Sequence, residues 1–95
     1  MRVIWADSAD QDLDSIVYYI AQDSVNSALR IQDRIEGAVG GLRSMPGRTR
    51  AGQLSNTREL VVKGTPYIVV IEIDGEVVNV LRVLHGAQQW PPREP

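Results

Sequence analysis

The sequence contains no cysteine and a single histidine, His85. The absence of cysteine excludes a disulfide framework and a thiolate metal site, and it suits a reducing cytoplasm. The acidic residues and the histidine show no spacing that is typical of a metal site, a two-carboxylate hydrolase or a Ser-His-Asp triad. The glycines form no phosphate-binding loop. We therefore expect no metal ion and no cofactor.

Long hydrophobic runs are also absent. No apolar stretch approaches ~18 residues, and the N-terminus lacks a basic region followed by an apolar segment, so we predict neither a transmembrane helix nor a signal peptide. This favours a cytoplasmic protein with no membrane partner. A chain of 95 residues can bury one modest core. We predict one domain over residues 1–91 and a short flexible tail over residues 92–95.

The net charge is only −2, but the charges are unevenly distributed. Residues 24–63 hold seven basic and three acidic side chains, and the segment from Arg43 to Arg58 carries four arginines and no acid. These arginines either keep a solvated loop soluble or form a site for an anion or a partner protein. Four charges are too few for tight binding to nucleic acid, so we expect no direct, tight nucleic-acid binding.

Three runs rich in β-branched residues predict β-strands. They span residues 59–62, 67–73 and 77–84. A glycine and a proline mark the first turn between them, and the pair Asp74-Gly75 predicts a type I′ hairpin, in which both central residues need a positive φ. We therefore predict an antiparallel meander. Its middle strand is apolar at every position from 68 to 71, which requires cover on both faces of the sheet, at least in a functional complex.

Two amphipathic helices precede these strands. Ser8 and Gln11 match a capping box, and apolar residues at helical spacing predict a first helix over roughly residues 9–22. Asp23 or Ser24 can cap a second helix. This second helix is predicted to end at one of two helix-terminating pairs, Gly40-Gly41 or Met45-Pro46.

A short strand candidate at residues 2–6 comes before the helices, and its place in the sheet is left open. Two helices joined by a few residues form an antiparallel hairpin, whose apolar stripe covers one face of a sheet. The predicted order of elements is β-α-α-β-β-β. We therefore predict an α+β domain in which a helical hairpin packs on a small, mostly antiparallel sheet.

His85 and Trp90 follow the last predicted strand. A lone histidine at a strand end is more often a hydrogen-bonded structural residue than an acid or base. A tryptophan before a proline more often seals the edge of a core than contacts a partner. The structural and the functional interpretation are both open for each residue.

Four strings of residues carry a resemblance to a known family. They are PGRTRAG at 46–52, TRELVV at 57–62, PYIVV at 66–70 and LRVLHGAQQWP at 81–91. Together with the helical hairpin and the order of elements, they resemble the RelE/ParE superfamily of type II toxins. The resemblance covers essentially the whole chain, and the last string is the most specific.

The two branches of this superfamily differ in activity, so the resemblance implies a different function for each. RelE-like toxins cut mRNA on the ribosome without a metal, and they commonly carry an arginine where this chain has Ile68. An aliphatic side chain cannot stabilise the charge that develops on a phosphate. The segment 66–70 instead looks like the ParE branch, which inhibits DNA gyrase, although Glu72 stands where that branch often has an arginine.

The resemblance thus implies a ParE-like toxin that inhibits DNA gyrase and is neutralised by a cognate antitoxin, a ParD-like or other small DNA-binding protein. Its expected target contacts are Arg48, Arg50, Arg58, His85 and Trp90. Its expected antitoxin contacts on the helical hairpin are Ile16, Tyr19, Ile20, Ile31 and Ile35. One alternative is a metal-independent mRNA endonuclease that uses Arg48, Arg58, Arg82 and His85. Another is a relative without toxicity that only binds its antitoxin.

Overall fold

A computed structural model describes residues 1–88 and 90–91, and the predicted tail at 92–95 lies outside them. The elements are β1 (Arg2–Trp5), α1 (Asp7–Ala21), α2 (Val25–Gly40), a 3-10 turn (Gly41–Arg43), β2 (Arg50–Ala51), β3 (Thr57–Val61), β4 (Tyr67–Asp74) and β5 (Val77–His85). The five strands form one sheet in the order β1-β5-β4-β3-β2. The predicted α+β class is confirmed, with the short strand β2 as an addition.

The first strand pairs in parallel with β5, from Arg2 opposite Val77 to Trp5 opposite Val80. The other three strand pairs are antiparallel. Because β1 is short, it covers only the first half of β5. Helix α1 then passes along the remaining edge, where the Ser8 hydroxyl donates to the Leu81 carbonyl at 2.7 Å.

The predicted capping box at the start of α1 is wrong for this reason. The helix begins at Asp7 with Ala6 as its N-cap, and no side chain caps it. Ser8 instead bonds the edge of β5, an acceptor 73 residues away in the chain. For α2 the local prediction is confirmed, because the Ser24 hydroxyl accepts from the Ser27 N–H at 3.1 Å and the helix ends at Gly40.

Both faces of β4 are covered, as its apolar sequence requires. Val69, Val70 and Ile71 are each at most 1% exposed. Val69 and Ile71 face the two helices and belong to the main core, while alternation along the strand turns Val70 to the far face. There Val70 lies beside Arg82 of β5, over which Trp90 packs at 5.3 Å. The chain therefore supplies both covers itself.

The hairpin between β4 and β5 is confirmed, but its turn is shifted by one residue. Asp74 pairs with Val77, so the loop consists of Gly75 and Glu76. Among the described residues of this turn only Gly75 has a positive φ, at 58°. This pattern fits a type II′ turn, which needs a positive φ at its first central position alone. The predicted type I′ turn needs a positive φ at both central positions.

The cap of α2 gives a first prediction. Ser24→Ala should lower the free energy of unfolding by about 1 kcal/mol, because the Ser27 N–H loses its acceptor. Ser15→Ala, on the exposed side of α1, is the matched control and should change little. Urea unfolding of both variants measures the difference, and equal stabilities would contradict the role of this cap.

Candidate functional site

Arg50 and Glu59 form an ion pair across β2 and β3. The Arg50 Nε and Nη2 each lie 3.1 Å from Glu59 Oε1, and the two residues are directly opposite in the strand register. Glu59 is 6% exposed, so its carboxylate needs a cation nearby. The Arg50 side chain is 59% exposed, and it can still present part of its guanidinium to a partner.

Arg58 is engaged in holding the loop before β2. Its Nε donates to Thr49 Oγ1 at 2.6 Å and its Nη2 donates to the Thr49 carbonyl at 2.8 Å. Two hydrogen bonds to one residue fix the guanidinium plane as well as its position. The Arg58 side chain is therefore part of the scaffold that positions its neighbours Arg48 and Arg50.

Arg48 is the freest of the predicted arginines. It is exposed, and it takes part in neither of the ion pairs formed within the described part of the chain. Its side chain lines a groove of about 710 Å³ between α2 and β3. This position makes its charge available to an external anionic group.

Arg82 forms a bidentate pair with Asp12 of α1. The distances are 2.6 Å from Nε to Oδ2 and 3.1 Å from Nη2 to Oδ1. The hydrogen bond to Asp12 raises the pKa of Arg82, against the opposing effect of burial. Asp12 Oδ2 also accepts from the Val83 N–H at 2.9 Å. One carboxylate thus joins α1 to the side chain and the backbone of β5.

His85 lies at the end of β5 and is exposed. Its Nδ1 accepts from the Ala87 N–H at 3.0 Å, and its ring packs edge-on against Tyr67 at 5.7 Å between centroids. Burial, and secondly the nearby Tyr19, raises the pKa of the Tyr67 hydroxyl. The three rings meet at a cleft of about 300 Å³ between α1 and the ends of β4 and β5.

Trp90 lies on the far face of the sheet. With Arg50, Ile68 and His85 it lines a small cleft of about 140 Å³. The indole ring stacks over the Arg82 guanidinium, and its N–H is buried without a hydrogen-bond partner among the described residues. Trp90 therefore seals this face of the sheet, which is the structural role considered for it above.

The four residues of the endonuclease alternative are not brought together. Arg48 lines the groove beside α2. Arg58 lines a different cleft, together with Glu72. Arg82 and His85 share the cleft beside α1, but the Arg82 charge is already matched by Asp12. No single cleft of the described residues holds all four side chains.

The predicted antitoxin contacts differ in exposure. Tyr19 is 76% exposed, whereas Ile16, Ile20 and Ile31 are partly buried against the core. Ile35 is 0% exposed, so it cannot contact a partner, and we correct its assignment to the core. A helical stripe identifies the apolar face of a helix, but the centre of that face is buried against the sheet.

Sequence reasoning missed the partners of the arginines, namely Asp12, Thr49 and Glu59. The contact of Asp12 joins distant segments of the chain. The contacts of Thr49 and Glu59 join β3 to the two-residue strand β2 or to the residue before it. No local sequence pattern predicts these contacts. In the described part of the chain, no three His, Asp or Glu side chains lie close enough together to hold a metal ion. None of the helices within residues 1–88 and 90–91 is both long and apolar enough to cross a membrane.

Comparisons with known proteins identify the relatives of this chain. The family model described as "ParE toxin of type II toxin-antitoxin system, parDE" matches residues 3–90. A protein of Sinorhizobium fredii named "Putative toxin Y4kP" is 40% identical over 90 residues, which cover 95% of this chain and 93% of that protein.

Solved structures of similar fold include two chains from toxin-antitoxin systems. A chain of the chromosomal ParDE toxin-antitoxin system from P. aeruginosa superposes with a TM-score of 0.81 at 23% identity, covering 90% of this chain and 95% of that one. A chain of the toxin-antitoxin complex RelBE2 from Mycobacterium tuberculosis gives a TM-score of 0.62 at 25% identity, with 92% of each chain covered.

The bidentate ion pair between Asp12 and Arg82 gives a second prediction. In a double-mutant cycle, Asp12→Ala and Arg82→Ala should couple by about 1–2 kcal/mol in the free energy of unfolding, because each removes the partner of the other. Asp14, exposed on the same helix, supplies the control, since Asp14→Ala and Arg82→Ala should be additive. Additivity in both cycles would show that the pair contributes nothing to stability.

Proposed function

Because the chain belongs to the ParE toxin family of type II toxin-antitoxin systems, we propose that it inhibits DNA gyrase by binding. A cognate antitoxin, ParD-like or another small DNA-binding protein, neutralises it. The observation that favours inhibition over RNA cleavage is the ion pair between Arg82 and Asp12. Asp12 already neutralises the Arg82 charge, which RNA cleavage would need to stabilise the phosphate.

Cutting RNA without a metal needs more than the exposed groups here can supply. A base must activate the 2′-hydroxyl, an acid must protonate the leaving oxygen, and cations must stabilise the phosphate. His85 is the only histidine in the sequence, and histidine is the side chain that most often serves as a general acid or base. Arg58 is bound to Thr49, and Ile68 offers no donor.

The target surface in this proposal is built around Arg48 and Arg50. Arg48 and the exposed part of Arg50 supply positive charge, and His85 adds a polar side chain near the same end of the sheet. Trp90 and Arg58 contribute mainly through the scaffold. Trp90 covers the far face of the sheet, and Arg58 holds the loop before β2 in place. Charged groups at the rim of an interface contribute to association rate and specificity.

The antitoxin surface begins at the cleft beside α1. Tyr19 and Ile16 line this cleft together with Tyr67, Val83 and His85. An aromatic anchor with an exposed ring is the kind of residue on which binding energy concentrates. We expect an apolar side chain of the antitoxin to fill the cleft, while Ile20 and Ile31 support it from the core.

The third prediction separates inhibition from RNA cleavage. The purified chain should inhibit supercoiling of relaxed plasmid by DNA gyrase in a reaction that contains no ribosomes. His85→Ala should retain at least part of this inhibition, because a contact residue is not required for chemistry. Induction in cells should arrest DNA replication while mRNA stays intact.

An opposite pattern would overturn the proposal. Rapid, ribosome-dependent cleavage of mRNA that is abolished by His85→Ala, together with normal supercoiling by gyrase, would assign the chain to the nuclease branch. A folded chain that binds its antitoxin but affects neither gyrase nor mRNA would identify a relative that has lost toxicity.

The fourth prediction divides the arginines by role. Arg48→Ala should reduce toxicity while leaving the melting temperature unchanged, since its side chain is exposed and joins no ion pair with another described residue. Arg58→Ala should lower the free energy of unfolding by about 1–3 kcal/mol, because two hydrogen bonds to Thr49 are lost. Thermal unfolding and growth inhibition measured on the same two variants test this, and destabilisation by Arg48→Ala would reassign that residue to the scaffold.

A further inference from the structure

The outer face of the helical hairpin is turned away from the sheet, and the proposed function leaves it unused. Each helix carries one stripe of exposed residues on this face, at the spacing of three or four residues, or multiples of a turn, that keeps side chains on one side of a helix. The stripe of α1 consists of Asp7, Asp10, Asp14 and Tyr18, and the stripe of α2 consists of Val25, Leu29 and Glu36.

The two stripes bring like side chains together. The helices pack against each other and only residues 22–24 connect them, so α2 runs back along α1 in the opposite direction. Tyr18 on the last turn of α1 therefore lies at the same end as Val25 and Leu29, and these residues are 73%, 61% and 51% exposed. Glu36 lies at the other end, with the aspartates of the first half of α1. The outer face thus has an apolar end and an acidic end.

The hairpin keeps its basic side chains off this face. Helix α1 contains no lysine or arginine, and Asp12 is the only one of its acids that pairs with a cation in the described part of the chain. In α2, Arg34 turns towards β3 and donates to the Lys63 carbonyl at 2.9 Å. Arg30 shares the side of Arg34 and donates to Ser27 Oγ at 3.1 Å. The acids of the outer face are therefore left without neutralising partners among the described residues.

The outer face is distinct from the cleft beside α1 at which we expect the antitoxin. Successive residues of a helix point about 100° apart, so Tyr18 and Tyr19 face different surroundings. Tyr19 lines the cleft together with Tyr67, whereas Tyr18 lines none of the four clefts described above. Occupants of the two surfaces would use different side chains.

Charge decides what kind of surface can cover this face. A second copy of the chain would present its own acids to these acids, and like charges across an interface cost affinity. A complementary partner instead carries lysines and arginines around an apolar socket. An enzyme that acts on DNA presents such a basic surface, because its cations must neutralise phosphates. Gyrase, the target proposed above, has this chemistry.

We propose that the outer face of the hairpin docks on the basic, DNA-binding surface of gyrase. Tyr18 inserts as the aromatic anchor, and Asp14 and Glu36 pair with lysines or arginines of the enzyme. The proposal rests on the inhibition of gyrase proposed above, and it adds a contact of opposite charge to that of Arg48 and Arg50. A chain bound there competes with DNA for the same cations, which inhibits the enzyme without any chemical step.

Two matched pairs of substitutions test the charge. Asp14→Asn with Glu36→Gln removes two carboxylates from the outer face, whereas Asp74→Asn with Glu76→Gln removes two exposed carboxylates at the turn between β4 and β5. Either pair raises the net charge by two, from −2 to 0. The first pair should weaken binding to gyrase at least about tenfold and reduce its dependence on salt concentration, and the second should change neither. Calorimetry at several salt concentrations measures both effects.

Substitutions of Tyr18 test the anchor. Tyr18→Ala should weaken binding to gyrase about tenfold, whereas Tyr18→Phe keeps the ring and should retain most of the affinity. Neither exchange should lower the melting temperature of the free chain, because Tyr18 is 73% exposed. A short DNA duplex added to gyrase should weaken binding of the unsubstituted chain, since both need the same basic surface.

Several outcomes would overturn the proposal. Equal gyrase affinities of the two charge pairs would do so, as would binding that the DNA duplex leaves unchanged. Weaker antitoxin binding of Tyr18→Ala with unchanged gyrase affinity would assign the face to the antitoxin. A dimeric free chain that Tyr18→Ala makes monomeric would assign it to a second copy. Failure of the unsubstituted chain to bind gyrase would overturn the inhibition itself, and it is distinguishable because the variants then have no affinity to lose.

Discussion

The structure depends on a central strand that is apolar on both sides. Val69 and Ile71 of β4 are buried by the helices, and Val70 is buried on the far face. A sheet with such a strand needs two layers of cover. The helical hairpin is one layer. The other is thin and consists of Trp90 over Arg82, together with the Arg50 loop.

The thin layer also determines what the far face can do. Arg82 lies on it between Trp90 and the carboxylate of Asp12, and the same carboxylate bonds the Val83 N–H where β1 no longer covers β5. Ser8 and Asp12, one helical turn apart, thereby close the edge of β5 in place of a strand. An arginine used to close the fold is poorly placed to stabilise a phosphate in catalysis, which is why we favour inhibition by binding.

Much of the fold could be predicted from local sequence, and the failures have a common cause. The hairpins, the Ser24 cap and the end of α2 at Gly40 follow from turn residues, side-chain spacing and capping chemistry within a few positions. The capping box predicted for Ser8 does not form because an acceptor 73 residues away outcompetes the local one. The parallel pairing of β1 with β5 is likewise set by packing between the ends of the chain.

The candidate site was less predictable than the fold. The sequence showed that arginines cluster before β3, but exposure and partners decide which of them are free. Arg58 is held by Thr49 and Arg50 by Glu59, and only three-dimensional proximity reveals this. In the same way, helical spacing identified Ile35 as apolar without showing that it lies at the centre of the core. Periodicity gives the face of a helix, whereas burial depends on what packs against it.

Amide hydrogen exchange on the free chain tests the central claim, that this protein covers both faces of β4 without a partner. A toxin held inactive by an antitoxin must stay folded after the antitoxin is removed. The amides of residues 69–71 should then be among the slowest to exchange in the absence of antitoxin, with protection equal to global unfolding. Rapid exchange throughout β4 that slows only when antitoxin is added would contradict the account, because the second cover would then belong to the partner.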